Sequence, residues 1–186
     1  MFKDQPFRFN RIALLIFMFL FIGSGLVFLL LNYLQSSQYE DVHLFFTDTS
    51  YSTLLLEDQQ TDKDLPVRGK MNLTLQYLIN GPVHSGKLRS LINNKTRIKS
   101  LSFHNQSLDI NLSKEFLQDL VPQVHDGQLI IHSILATFFI SFPEVKTIRF
   151  YLEDRPLKTI FGRHSFDYPF HRDRFLKTYE SLLQGA

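Results

Sequence analysis

"SFPEVKTIRFYL", residues 141–152, holds the change of pattern on which the fold turns. Just upstream, "GQLIIHSILATFFIS" at 127–141 is apolar on most of its circumference, the pattern of a helix covered on more than one side. Pro143 cannot continue that helix and biases Phe142 toward extended geometry. Beyond it, Val145, Thr147, Arg149 and Tyr151 alternate with Ile148, Phe150 and Leu152, the period of a strand. A helix that gives way to a strand within one turn is a helix packed on a sheet.

The neighbouring segments extend this reading in both directions. Residues 97–104 and 107–112 alternate through Ile98, Leu101 and Phe103, then Leu108, Ile110 and Leu112, which predicts a hairpin across Asn105-Gln106, although the turn lacks an Asn-Gly pair. Residues 115–125, with Pro122 inside, link that hairpin to the apolar helix. An earlier helix is announced by Asp64 and Pro66, carries Met71, Leu75, Leu78 and Ile79 at helical spacing, and ends at Asn80-Gly81-Pro82, where Gly supplies a left-handed cap. Before it, "VHLFFT" at 42–47 and "TLLLE" at 53–57, separated by "DTSYS", read as strands. A small strand is expected at 157–160, and Phe175, Tyr179, Leu182 and Leu183 give Arg172–Gln184 the pattern of an amphipathic helix, whose apolar face either packs on its own domain or is a partner surface. The order predicts a two-layer α+β domain, a mostly antiparallel sheet with two helices on one face.

Residues 12–34, "IALLIFMFLFIGSGLVFLLLNYL", contain no charge and exceed the length needed to cross a hydrocarbon core about 30 Å thick. A cleaved signal peptide has a shorter apolar core and a small-residue cleavage site, so an anchor is expected. Lys3, Arg8 and Arg11 precede the span, whereas Glu40, Asp41 and Asp48 follow it with no Lys or Arg through residue 55. The positive-inside rule then predicts a cytoplasmic N-terminus and a domain outside the cytoplasm, in the cytoplasmic (inner) membrane as a single pass. The expected organisation is residues 1–11 cytoplasmic, 12–34 anchor, 35–41 linker, 42–171 domain and 172–186 C-terminal helix.

Of the 20 basic residues three precede or open the span, as does one of the 18 acidic ones, Asp4; the remainder of the chain carries 17 of each. Zero formal charge argues against nucleic acid as a partner. The chain has no cysteine, so neither a disulfide nor a cysteine-linked lipid is available.

Several pieces, taken together, resemble the GerMN domain family of bacterial sporulation and spore-germination proteins, from about Val42 to Pro169. They are "VHLFFTD", "LQYLINGP", "LDINLSKEF", "SILATFFISFPEVKTIRFYLED" and "FGRHSFDYP", in that order. The sequence departs from the family pattern by one extra residue between Thr137 and Phe142, and by Arg155 where a glycine is usual in the last turn. The resemblance implies an extracytoplasmic module tethered by a helix or a lipid. Its fold would be similar to small α/β modules that build rings in secretion-type assemblies, and its role that of a scaffold. It brings no catalytic residue with it.

No catalytic, metal-binding or cofactor-binding residue is singled out. His125 and His132, like His164 and His171, stand seven apart, and no His-x-x-x-His completes a coordination set. There is no Gly-x-Ser-x-Gly, and Asp109, Asp126, Asp154 and Asp167 are read as turn residues, so no enzyme is expected. Four Asn-x-Ser/Thr sequons, at Asn72, Asn94, Asn105 and Asn111, carry little meaning in a bacterial chain. The notable charge pattern is Lys87, Arg89, Lys95, Arg97 and Lys99, five cations with no acid among them, a solvated loop or a contact for a partner or an anionic polymer. The expected function is a membrane-anchored structural or interaction module of the cell envelope that binds other envelope or membrane proteins, or itself. The alternative is a module that binds peptidoglycan or another anionic wall polymer.

Overall fold

The structure, a computed structural model, describes residues 11–36, 38–84, 86–118, 128–157, 159, 160, 164, 165 and 169–184. Lys3 and Arg8, the linking residues 119–127 with Pro122, His125 and Asp126, and Asp167 of the closing segment lie outside them. The chain divides into two units, Met1–Tyr39 and Glu40–Ala186. The first contains the helix α1 (Arg11–Ser36), of which Leu14–Asn32 is long and apolar enough to cross a membrane.

The second unit is an α+β domain. Its elements are β1 (Tyr39–Asp48), β2 (Leu54–Asp62), α2 (Val67–Asn80), β3 (Leu88–Arg89), β4 (Ile98–His104), β5 (Ser107–Leu112), a 3-10 turn at Lys114–Leu117, α3 (Gln128–Ser141) and β6 (Thr147–Leu152). The short strands β7 (Arg155–Pro156), β8 (Thr159–Ile160), β9 (His164–Ser165) and β10 (Phe170–His171) follow, then α4 (Arg172–Gln184). The strands form three hydrogen-bonded sets: β2-β1-β3, β10-β6-β5-β4 with β7 on β6, and β8-β9.

The quoted stretch folds as its pattern predicts. The Phe142 amide still donates to Phe138 O at 3.0 Å, Val145 N then bonds Phe142 O at 3.0 Å, and both side chains are buried. The next two amides, Lys146 and Thr147, both donate to Gln106 O in the β4–β5 turn, at 2.8 and 3.2 Å. The abrupt join is therefore pinned to the hairpin tip, which sets the start of β6 beside the start of β5. Those two strands pair in parallel, Leu108 opposite Ile148 and Ile110 opposite Phe150, so β5, α3 and β6 form a parallel crossover inside an otherwise antiparallel arrangement. On the other face of the pair, Arg149 clasps Asp109 with two bonds of 2.8 Å.

The β4–β5 turn reaches its two-residue geometry without glycine, with Asn105 at φ 49° and Gln106 at φ 64°. Glu153 and Asp154, at φ 49° and 66°, make the equivalent turn between β6 and β7, and Arg155 opens β7. At the end of α2, Gly81 has φ 89° and ψ 175° rather than the left-handed cap geometry expected. That extended positive-φ region is essentially open to glycine alone, and a Cβ there would meet Ser90 Cβ at 3.4 Å.

Helix α3 is apolar nearly all round because three different surfaces cover it. Ile130, Ile134 and Phe138 join the central core with Leu75 of α2 and Leu108 of β5. Phe139 and His132 meet Phe175 of α4 at ring distances of 5.6 and 5.7 Å, and Arg172 Nε donates to Phe139 O at 3.0 Å. The third surface is a polar stripe, Ser133, Thr137 and Ser141, laid along the backbone of β1. Ser133 Oγ donates to Phe45 O, Thr137 Oγ1 accepts from Phe45 N at 3.1 Å, and Ser141 Oγ accepts from His43 N at 2.8 Å and donates to His43 O at 3.1 Å. Beyond the two residues that β3 pairs with, hydroxyls of a helix thus replace a neighbouring strand. The amphipathic α4 lies on its own domain, stacking Phe175 on Tyr179 and setting Tyr179 edge-on to Phe45. The side chains of Leu182 and Leu183 lie outside the description.

Candidate interaction surface

The geometry of β1 decides what β2 presents to solvent. At the turn Asp48 N donates to Thr53 O at 3.1 Å, and five residues further along each strand His43 Nδ1 meets Asp58 Oδ1 at 2.6 Å, so the two strands form an antiparallel hairpin in fixed register. His43 and Phe45 turn their backbone groups toward α3, and the alternation of an antiparallel ladder then turns those of Leu54, Leu56 and Asp58 away from β1. The outward Gln60 carbonyl accepts from the Tyr77 hydroxyl at 3.4 Å. The outward groups of Leu54, Leu56 and Asp58 meet no partner among the described residues.

Two other strand edges are engaged at named points. Leu101 O on the outer side of β4 accepts from Arg68 Nε at 2.9 Å, and the free side of β1 carries the hydroxyl stripe. An unpaired edge templates the addition of another strand.

Beside the open edge lies an apolar groove of about 690 Å³, lined by Leu55, Leu56, Glu57, His84, Gly86, Lys87 and Leu88. Leu56 is 51% exposed. Glu57, only 7% exposed, fixes the wall: its carboxylate accepts from Val83 N at 2.9 Å, Gln59 Nε2 at 2.9 Å and His84 N at 3.3 Å. Burial alone would raise its pKa, but the Val83 amide and its companions outweigh that and hold it below the ordinary value. The carboxylate is thus a structural anchor for the segment that follows α2. At the turn end of the hairpin, Asp48 accepts from Ser50 Oγ, Ser52 N and Ser52 Oγ, which keeps its pKa far below the ordinary carboxylate range.

The five cations of the basic stretch are exposed but differ in their commitments. Lys87 lines the groove, and Arg89 sits on β3 opposite Thr47, its guanidinium donating to Leu88 O at 2.9 Å. Lys95 lies in the turn closed by Thr96 N to Asn93 O, and Arg97 is tied by its backbone to Ser113. Lys99 is engaged in ion pairs: its Nζ meets Asp154 Oδ2 and Glu153 Oε2, both at 2.8 Å, and those bonds raise its pKa. Asn111, 6% exposed, completes this cluster by donating to Asp154 Oδ1 at 2.7 Å, so its sequon is buried in structure. Lys87 precedes β3 and Arg89 lies on it, in the sheet of β1, whereas Lys95 and Arg97 precede β4 and Lys99 lies on it, in the other sheet.

Among the described residues no group of three or more His, Asp or Glu side chains is arranged to hold a metal ion. Asp109 is held by Arg149 and Asp154 by Lys99 and Asn111, so both serve the fold. The open edge was not identified from the sequence. Its signal was present in Leu54-Leu55-Leu56, three leucines in a row where a half-buried strand should alternate.

This is a small α+β module in which ion pairs and hydroxyls serve the architecture and the outer edge of β2 is unpaired among the described residues at Leu54, Leu56 and Asp58. The family model described as "Germane: Sporulation and spore germination" matches residues 43–158, more than half of the chain, and the chain belongs to that family. The first GerMN domain of the sporulation protein GerM from Bacillus subtilis is similar in fold, with a TM-score of 0.55 at 16% identity over 72% of this chain and 98% of that one. The tandem GerMN domains of the same protein give 0.55 at 12% identity over 73% of this chain, which spans 46% of that one. A protein from Clostridium perfringens described as a lipoprotein gives 0.49 at 23% identity, over 73% of this chain and 89% of that one. No curated protein matches.

Proposed function

We propose that the chain is a membrane-anchored interaction module of the bacterial cell envelope, held by α1 as a single pass of the cytoplasmic membrane with its domain on the outer side. The observation that carries this reading is the combination of a Germane-family domain with one apolar helix that ends at Ser36, close to the first strand at Tyr39. The positive flank of Lys3, Arg8 and Arg11 supports the orientation. Partners are other envelope or membrane proteins and further copies of the chain, in a scaffolding rather than a catalytic role. Side-by-side packing into a ring is one form that such scaffolding takes.

A second reading, binding of peptidoglycan or another anionic wall polymer, is favoured by the exposure of Lys87, Lys95 and Arg97. Crosslinking of the tagged full-length protein in intact cells, followed by detergent purification and mass spectrometry, separates the two. Recovery of one or two defined envelope proteins, or of the chain itself, supports the interaction module. Recovery of none, with the protein sedimenting with purified wall material, supports polymer binding and overturns the first reading.

A further inference from the structure

We infer that β2 is a self-association edge: two copies of the chain pair antiparallel through Leu54, Leu55 and Leu56. The inference rests on the interaction-module reading and deepens it by naming a partner and a surface. The outward backbone groups of Leu54, Leu56 and Asp58 have the chemistry of a missing strand, so the occupant must offer extended backbone.

Register selects the occupant. An antiparallel pair of identical strands closes on a two-fold axis and needs only one surface. Centred on Leu55, it sets Leu54 against Leu56 of the second copy, twice, as hydrogen-bonded pairs, and Leu55 against Leu55 as the closer non-bonded pair. All three leucines then meet leucines, and the groove beside Leu55 lies where the second Leu55 enters. Shifted to centre on Leu56, the pair would press Leu55 against the buried Glu57 carboxylate. Centred on Glu57, it would set two carboxylates face to face. Asp58 lies outside the leucine contact in the favoured register, where it keeps its bond to His43. Two copies held in one membrane by α1 are confined to a thin layer, which raises their effective concentration and lets a short strand contact suffice.

The absence of cysteine from the chain makes the test direct. Full-length Leu55→Cys in native membranes, treated with a mild oxidant, is expected to give a disulfide-linked dimer that reductant reverses. Asn72→Cys, on the exposed side of α2, is the collision control and is expected to remain monomeric. Added to Leu55→Cys, Leu56→Lys is expected to abolish the dimer while leaving the thermal midpoint of the domain unchanged. So is Leu56→Pro, which removes only an outward amide. Equal crosslinking at positions 55 and 72, no dimer at 55, or a dimer that survives both second substitutions overturns self-pairing. If defined envelope proteins are still recovered by the in-cell crosslinking, the interaction-module reading stands and only the edge assignment fails.

Discussion

Thr137 Oγ1 accepts the backbone amide of Phe45 at 3.1 Å, across 92 residues of chain. With Ser133 and Ser141 one turn to either side, it lets a helix stand in for a strand along β1. A helix of this apolar content would otherwise leave a buried strand edge unpaired. Thr137→Val keeps the shape and removes the acceptor, and an orphaned buried amide costs about 1–3 kcal/mol. The expected outcome is a loss of stability of that order, read by chemical unfolding of the full-length protein in detergent. A loss below about 0.5 kcal/mol would show that the bond contributes little, within the range of an ordinary surface change.

Lys99 is a structural cation, and this changes how the basic stretch should be tested. Glu153 and Asp154 both hold their carboxylates against Lys99, and its bonds lower the pKa of each. Lys99→Glu places three acids at one turn and is expected to lower the unfolding midpoint, with the difference shrinking as salt screens the repulsion. Lys95→Glu with Arg97→Glu should leave the midpoint close to that of the wild type. That pair is therefore the proper probe of partner or polymer contact, and loss of stability in it would contradict the assignment of Lys99 as the structural member.

Most of the helices and the long strands were legible because burial imposes periodicity. Met71, Leu75, Leu78 and Ile79 had to share a face, and Leu108, Ile110 and Leu112 had to alternate. What the alternation could not convey was pairing partners, since a strand's pattern is the same beside a strand or a helix. The hydroxyls at 133, 137 and 141 were spaced four apart in plain view, yet only the structure shows the backbone they serve. The basic stretch was legible as charge. That Lys99 is consumed by Glu153 and Asp154, more than 50 residues away, depends on the turn after β6 and could not be read locally.

The β4–β5 turn holds a residue that suits it poorly. Gln106 sits at φ 64°, where a non-glycine side chain crowds the following carbonyl at a cost of about 1–2 kcal/mol. Gln106→Gly creates the favoured Asn-Gly pair while retaining the carbonyl that receives Lys146 and Thr147. An increase in stability of about 1 kcal/mol is expected from relief of that strain. Unchanged or lower stability would mean that the Gln106 side chain contributes more than its backbone costs.

The Asp48 turn makes a pH-dependent contribution. Its folded pKa, lowered first by the Ser50 hydroxyl and then by the Ser52 amide, lies below the unfolded value of about 3.9. The unfolded state therefore binds the proton more readily, so the stabilisation is fully present above the unfolded value and is lost as pH falls through the folded one. Asp48→Asn should be less stable than the wild type at neutral pH, with the gap closing in strong acid. Equal pH dependence of the two proteins would dismiss the carboxylate as the source.

An aromatic chain of contacts runs from Phe139 through Phe175 and Tyr179 of α4 to Phe45. Phe175 is half-buried, so Phe175→Ala should cost less than the 3–5 kcal/mol typical of a fully buried ring, about 1–3 kcal/mol. The distinctive consequence is local. With the ring gone, the outer face of α3 at His132 and Phe139 loses its cover, while the hydroxyl stripe on β1 remains. Hydrogen exchange should accelerate in α4 at denaturant concentrations where β1 and β5 stay protected. Uniform acceleration across the domain would instead make α4 part of the cooperative core.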